Sequence, residues 1–123
     1  MAKKILVIED SVITGDLLKQ RLEERGYETI VSYDGADGLA KIKDEKPDLV
    51  ILDVRMPGMD GFEVCRLAKA DPQTKDIPII FLSIASDKSD MEKGKKCGAS
   101  GYLTKPYDYR ELEDWVNKIL GDK

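Results

Sequence analysis

The strongest constraint on this chain is a fivefold alternation of short apolar runs, rich in branched side chains, with stretches of helical spacing. Such alternation is the sequence form of a parallel sheet with crossover helices, an α/β fold. The strand-like runs are residues 4–9, 29–32, 49–54, 79–83 and 101–104. The third, Leu49-Val50-Ile51-Leu52-Asp53-Val54, has no polar alternation, which predicts a central strand covered on both faces.

Between the strands, helical spacing predicts a first helix over 11–25 with Ile13, Leu17, Leu18 and Leu22 inward and a left-handed stop at Gly26. Asp34 caps a second helix with Ala36, Leu39, Ala40 and Ile42 inward, ended by Pro47. A third covers 62–70 and closes at Asp71-Pro72. A fourth, over 86–96, has only Met91 and small residues as an apolar stripe. The last covers 109–120, with Leu112, Trp115, Val116 and Ile119 facing the core.

Ligands of an open parallel sheet bind outside the carboxyl ends of its strands, and the strand ends here carry chemistry. Glu9-Asp10 follow the first run, Asp53 ends the third, Ser83 ends the fourth and Lys105-Pro106 follow the fifth. Carboxylates about 5 Å apart repel by about 3 kcal/mol per pair at an effective dielectric near 20. Three such pairs rival the whole stability of a small domain, about 5–15 kcal/mol. The cluster therefore calls for a cation or for a carboxylate held protonated.

The chain has no histidine, and oxygen-only ligands select a hard ion, Mg²⁺ with Mn²⁺ as the alternative, and point away from zinc. Asp53, alone at the central strand's end, is the candidate nucleophile toward phosphorus. A hydroxyl (Ser83) and an ammonium (Lys105) are suited to hold phosphoryl oxygens. Taken singly, Asp10 reads as a helix N-cap, Ser83 as a turn hydroxyl and Lys105 as a solvated charge. Their coincidence at one sheet edge favours a site.

At 123 residues the chain is expected to make one domain, residues 1–123, with no output domain. The net charge of −4 without a basic stripe argues against nucleic acid or anionic membrane as partner. Cys65 and Cys97 have neither C-x-x-C nor zinc spacing and read as buried thiols in a reducing compartment. The first apolar segment is too short for a signal-peptide core or a spanning helix, so the expected location is cytoplasmic.

Three motifs now resemble the receiver domain of two-component response regulators. Ile8-Glu9-Asp10-Ser11 is similar to its acidic pair, and Leu52 through Gly61 to its phosphorylation loop. Gly98-Ala99-Ser100-Gly101-Tyr102-Leu103-Thr104-Lys105-Pro106 is similar to its last-strand signature. The resemblance implies a flavodoxin-like doubly wound (βα)5 fold with strand order 2-1-3-4-5. It implies that Asp53 accepts a phosphoryl group from a sensor histidine kinase or histidine phosphotransfer protein. Asp10, Asp53 and the Arg55 carbonyl would ligate the metal, with Glu9 reaching it through water. Ser83 and Lys105 would contact the phosphoryl oxygens, Tyr102 would turn inward as Ser83 moves, and the Lys105-Pro106 peptide would be cis.

One departure is Ile84, where the family usually has Ala or Gly; this stiff side chain is expected to narrow access to the site and lengthen the phosphorylated state's life. Arg55 and Ala85 occupy positions that vary in the family and tune the same lifetime. Phosphorylation should bias an existing equilibrium, typically by about 1–3 kcal/mol, through the weakly amphipathic fourth helix. A downstream target is expected on the helix 4, strand 5, helix 5 face, near Lys88, Lys93, Lys95, Lys96, Tyr102, Tyr107 and Tyr109. The first helix and nearby loops would face the kinase, and the protein would be a monomer or a phosphorylation-dependent dimer.

The expected activity is self-catalysed phosphoryl transfer and slow autodephosphorylation, not turnover of a small substrate. Alternatives are a phosphate shuttle to a histidine carrier and a receiver excised from a larger protein. An aspartate-nucleophile phosphatase lacks support, for there is no D-x-D pair, P-loop or cap region.

Overall fold

The computed structural model describes residues 2–84 and 88–121. Its strands are β1 (Lys4–Ile8), β2 (Glu28–Ser32), β3 (Leu49–Asp53), β4 (Ile79–Ser83) and β5 (Gly101–Thr104). They alternate with α1 (Val12–Glu24), α2 (Gly35–Glu45), α3 (Gly61–Ala70), α4 (Lys88–Lys96) and α5 (Tyr109–Leu120). Ala85 and the expected start of the fourth helix at Ser86 lie outside the described residues. The strands form one parallel sheet in the order β2-β1-β3-β4-β5, the flavodoxin-like arrangement.

Successive strand side chains point to opposite faces, and here both faces are apolar, so the sheet separates two cores. On one face Ile5, Val7, Leu49, Ile51, Ile80 and Leu82 pack with Leu18 and Leu22 of α1 and Leu112 and Val116 of α5. On the other, Leu6, Ile8, Val50, Leu52 and Phe81 pack with Ile42 of α2 and Val64, Cys65 and Ala68 of α3. β3 is buried at every residue, as its uninterrupted apolar run requires.

Three helices turn differently from expectation. In α1 only Gly15, Leu18 and Leu22 are buried, while Ile13 is 75% and Leu17 47% exposed. At roughly 100° per residue, Ile13 and Leu17 fall opposite Gly15 and Leu22, and the glycine side lies against the sheet. In α2 the inward stripe is Gly35, Gly38 and Ile42, with Leu39 half-buried and Ala36 and Ala40 exposed. A Cβ on Gly38 would stand 2.6 Å from the Ile8 side chain, so the helix approaches β1 more closely than alanine allows. α2 stops before Pro47, with Lys46 as a left-handed cap. In α4 the buried residues are Asp90 and Gly94, and Met91 is 40% exposed. α5 keeps its expected face, Leu112 and Val116 buried with Trp115 and Ile119 half-buried.

Candidate functional site at the carboxyl edge of the sheet

β1 and β3 are neighbours, so the residues after Ile8 and Leu52 arrive side by side at the carboxyl edge. Glu9, Asp10 and Asp53 each place a carboxylate oxygen so that all three lie within 4.8 Å of one another. Glu9 and Asp53 are buried and Asp10 is exposed. Asp10 does not cap α1; Ser11 does, its hydroxyl accepting from the Thr14 N–H at 3.3 Å. That leaves the Asp10 carboxylate available to the cluster.

Lys105, just past β5, donates from Nζ to Glu9 Oε1 at 2.9 Å and stands 3.4 Å from Asp53 Oδ1. Its backbone N–H donates to the Ser83 carbonyl at 2.6 Å, which fixes the loop against the end of β4. The Lys105-Pro106 peptide is cis. Asp53 pairs in register with Leu82, and buried Ser83 is the next residue along β4. The loop after Asp53 is held at its far end by Gly61, where a Cβ would stand 2.4 Å from the Asp53 carbonyl oxygen.

The electrostatics follow from burial and spacing. Burial first, and the Glu9 charge second, push the Asp53 carboxyl up to about 7. Burial pushes Glu9 up too, but hydrogen bonds from the Lys105 ammonium and the Ser11 amide overcome it and hold Glu9 below the ordinary glutamate value. Burial opposes the charge on Lys105, yet the hydrogen bond to Glu9 and the Asp53 charge hold its pKa above the usual lysine value. Lys105 thus supplies part of the positive charge the acidic cluster calls for, and the raised Asp53 carboxyl relieves the repulsion further as pH falls below about 7.

Other expected residues are distributed around this centre. Ile84 follows Ser83 and is 70% exposed. The Arg55 guanidinium turns to the buried carboxylate of Asp90 on α4, a partner that no feature of the sequence singles out. Tyr102 pairs in register with Phe81, its ring centroid 6.4 Å away, and borders a cavity of about 280 Å³ with Met91, Gly94, Lys95 and Trp115. The expected docking residues do not form one face. Lys88 and Lys95 line the Met91 side of α4. Lys93 and Lys96 line a groove with α3, and Tyr109 packs under Arg21 of α1. Cys97 is half-buried, more open than expected.

The sequence matches the family described as the response regulator receiver domain over residues 5–117. It is 41% identical over 120 residues to the alkaline phosphatase synthesis transcriptional regulatory protein PhoP of Bacillus subtilis (strain 168). That match covers 98% of this chain and 49% of PhoP, so the chain spans about half the length of this curated relative. Among solved structures, the signal receiver domain of a signal transduction histidine kinase from Syntrophus aciditrophicus is 39% identical, with a TM-score of 0.90 over 98% of this chain and 91% of that one. The receiver domain of the sensor histidine kinase PA1611 from Pseudomonas aeruginosa PAO1, with a magnesium ion coordinated in its active site cleft, is 25% identical. Its TM-score is 0.90 over 99% of this chain and all of that one. This chain belongs to the response regulator receiver domain family of two-component signal transduction. No helix among the described residues is long and apolar enough to cross a membrane.

Proposed function

We propose that Asp53 is the phosphoacceptor and that Asp10, Asp53 and the Arg55 carbonyl hold Mg²⁺ beside it, with Glu9 reaching the ion through water. The observation that carries this reading is the convergence of the Glu9, Asp10 and Asp53 carboxylate oxygens within 4.8 Å of one another, with the Lys105 ammonium 3.4 Å from Asp53. Three convergent carboxylate oxygens and the absence of histidine fit a hard divalent ion. When bound, the ion neutralises the acidic cluster and the oxygens of the incoming phosphoryl group.

An Asp53 carboxylate oxygen attacks the phosphorus of a phosphohistidine donor. The P–N bond breaks, the histidine leaves, and an acyl phosphate forms on Asp53. Lys105 moves its charge from Asp53 to a phosphoryl oxygen, and the Ser83 hydroxyl donates to another. Ile84 covers the approach of water, so the acyl phosphate outlives an unshielded one. Tyr102 and α4 carry the change to the cavity beside Trp115, where a target protein docks. The exposed Val12, Ile13 and Leu17 on α1 offer the donor an apolar contact near Asp10.

The test is phosphorylation with a phosphohistidine carrier and Mg²⁺, followed by intact-mass measurement and borohydride trapping of the acyl phosphate. The expected result is one phosphoryl group on Asp53, lost in Asp53→Asn and without Mg²⁺. An acyl phosphate on another residue would overturn the reading.

A further inference from the structure

The phosphoryl chemistry leaves two free thiols unused, and they lie together. Cys65 sits on α3, fully buried, whereas Cys97 directly follows α4 and is half-buried. The Cys65 Sγ lies 3.4 Å from the Cys97 carbonyl oxygen, and the Cys97 Sγ 3.8 Å from the Phe62 carbonyl oxygen. On its outer side Cys97 lines a surface groove in which three cations, Arg66, Lys93 and Lys96, outnumber two carboxylates, Asp60 and Glu63.

A partly exposed thiol among cations is the setting in which cysteines react, and a buried one alone is inert. Here the buried Cys65 thiol lies against the main chain of the half-buried Cys97, which brings the two residues together. We propose that Cys65 and Cys97 form a dithiol modification site, in which a small anionic disulfide such as glutathione disulfide reacts at Cys97 from the groove and Cys65 then closes an intramolecular bridge.

The Cys97 thiolate attacks one sulfur of the reagent; the reagent's S–S bond breaks, and one reagent thiolate leaves and takes up a proton. Cys65 then gives its proton to solvent and attacks the Cys97 sulfur, expelling the second reagent thiolate. The protein dithiol is oxidised by two electrons and the reagent disulfide is reduced to two thiols. Burial, and next the neighbouring Cys97 thiol, push the Cys65 pKa up to about 12, so the opening attack falls to Cys97 and the closing step is the slow one. The bridge ties the end of α4 to α3. Among its described residues α4 buries only Asp90 and Gly94, so a covalent tether restrains it more than it would a well-packed helix.

The test incubates the native protein with glutathione disulfide and follows intact mass, free thiols and amide exchange. One transient adduct on Cys97 is expected, then a monomeric product lighter by two hydrogens with neither thiol free and slower exchange in α4. Cys65→Ala should stop at a stable adduct. Cys97→Ser should react at least about tenfold more slowly, its remaining thiol being buried. The proposal is overturned if the native protein keeps both thiols, if its adduct persists as in Cys65→Ala, or if the bridge joins two chains.

Discussion

The guanidinium of Arg55, two residues beyond Asp53, holds the buried carboxylate of Asp90 in the first turn of α4. This ion pair joins the loop that carries the acid to α4, which buries no apolar side chain among its described residues. Removing the arginine strands a charge, so Arg55→Ala is expected to destabilise the fold by about 1–3 kcal/mol. The double variant Arg55→Ala/Asp90→Asn should regain part of that loss in urea unfolding. Additive single effects would show that the pair couples nothing.

The pH dependence follows from Asp53 and Glu9. Asp53 has a folded pKa of about 7, above its ordinary 3.8, so its neutral form favours the metal-free fold and that contribution fades as pH rises from about 4 to about 7. Glu9 is held below 4.5 and acts in the opposite sense, its contribution being lost only as pH falls through its lowered pKa. Saturating Mg²⁺ should therefore raise Tm more at about pH 8 than at about pH 5.5, where it must displace a proton. Without metal, Asp53→Asn should exceed the parent in stability at about pH 8, by about 1–3 kcal/mol, and the two should converge only near about pH 4, where the unfolded carboxyl is protonated as well. Equal Mg²⁺ shifts at both pH values would refute this account.

Ile84 is 70% exposed beside Ser83, so its truncation should leave stability within about 0.5 kcal/mol of the parent. Its effect belongs on lifetime. Ile84→Ala is expected to lose label from Asp53 about two- to tenfold faster, by admitting water. Equal or slower loss would remove the shielding role.

The α1 surface and the α4 surface make separable predictions. Ile13→Asp should slow transfer from a phosphohistidine protein about tenfold while leaving labelling by a small acyl phosphate unchanged. Lys95→Glu, beside Tyr102 and Trp115, should weaken target binding. Lys96→Glu, on the α3 groove, should not. Binding kinetics with the phosphorylated protein and its isolated target separate the two.

Strand ends were the most legible part of the sequence, because β4 and β5 are bounded by the same polar residues that carry the chemistry. Glu9, Asp10 and Asp53 lie at the ends of β1 and β3, where the expected ends at 9 and 54 each run one residue past the observed Ile8 and Asp53, close enough to bring the three acids to one edge. The inward faces of α1 and α2 were not legible, since leucine and alanine counts outweighed Gly15, Gly35 and Gly38, whose lack of a side chain is what seats those helices. Asp90 was hidden differently. One aspartate among lysines reads as a solvated charge, and only the three-dimensional path of Arg55 turns it into a buried partner.

Gly61 has a mechanical consequence for the way the domain signals. A methyl group there would stand 2.4 Å from the Asp53 carbonyl oxygen and 2.9 Å from the Val54 Cα, so strand end and helix start form a single rigid bracket. A charge added at residue 53 cannot be relieved by backing its own support away. Under the proposed phosphorylation of Asp53, the change would therefore be expected to pass sideways, toward the neighbouring strand and α4 beyond it, instead of being absorbed where it arises.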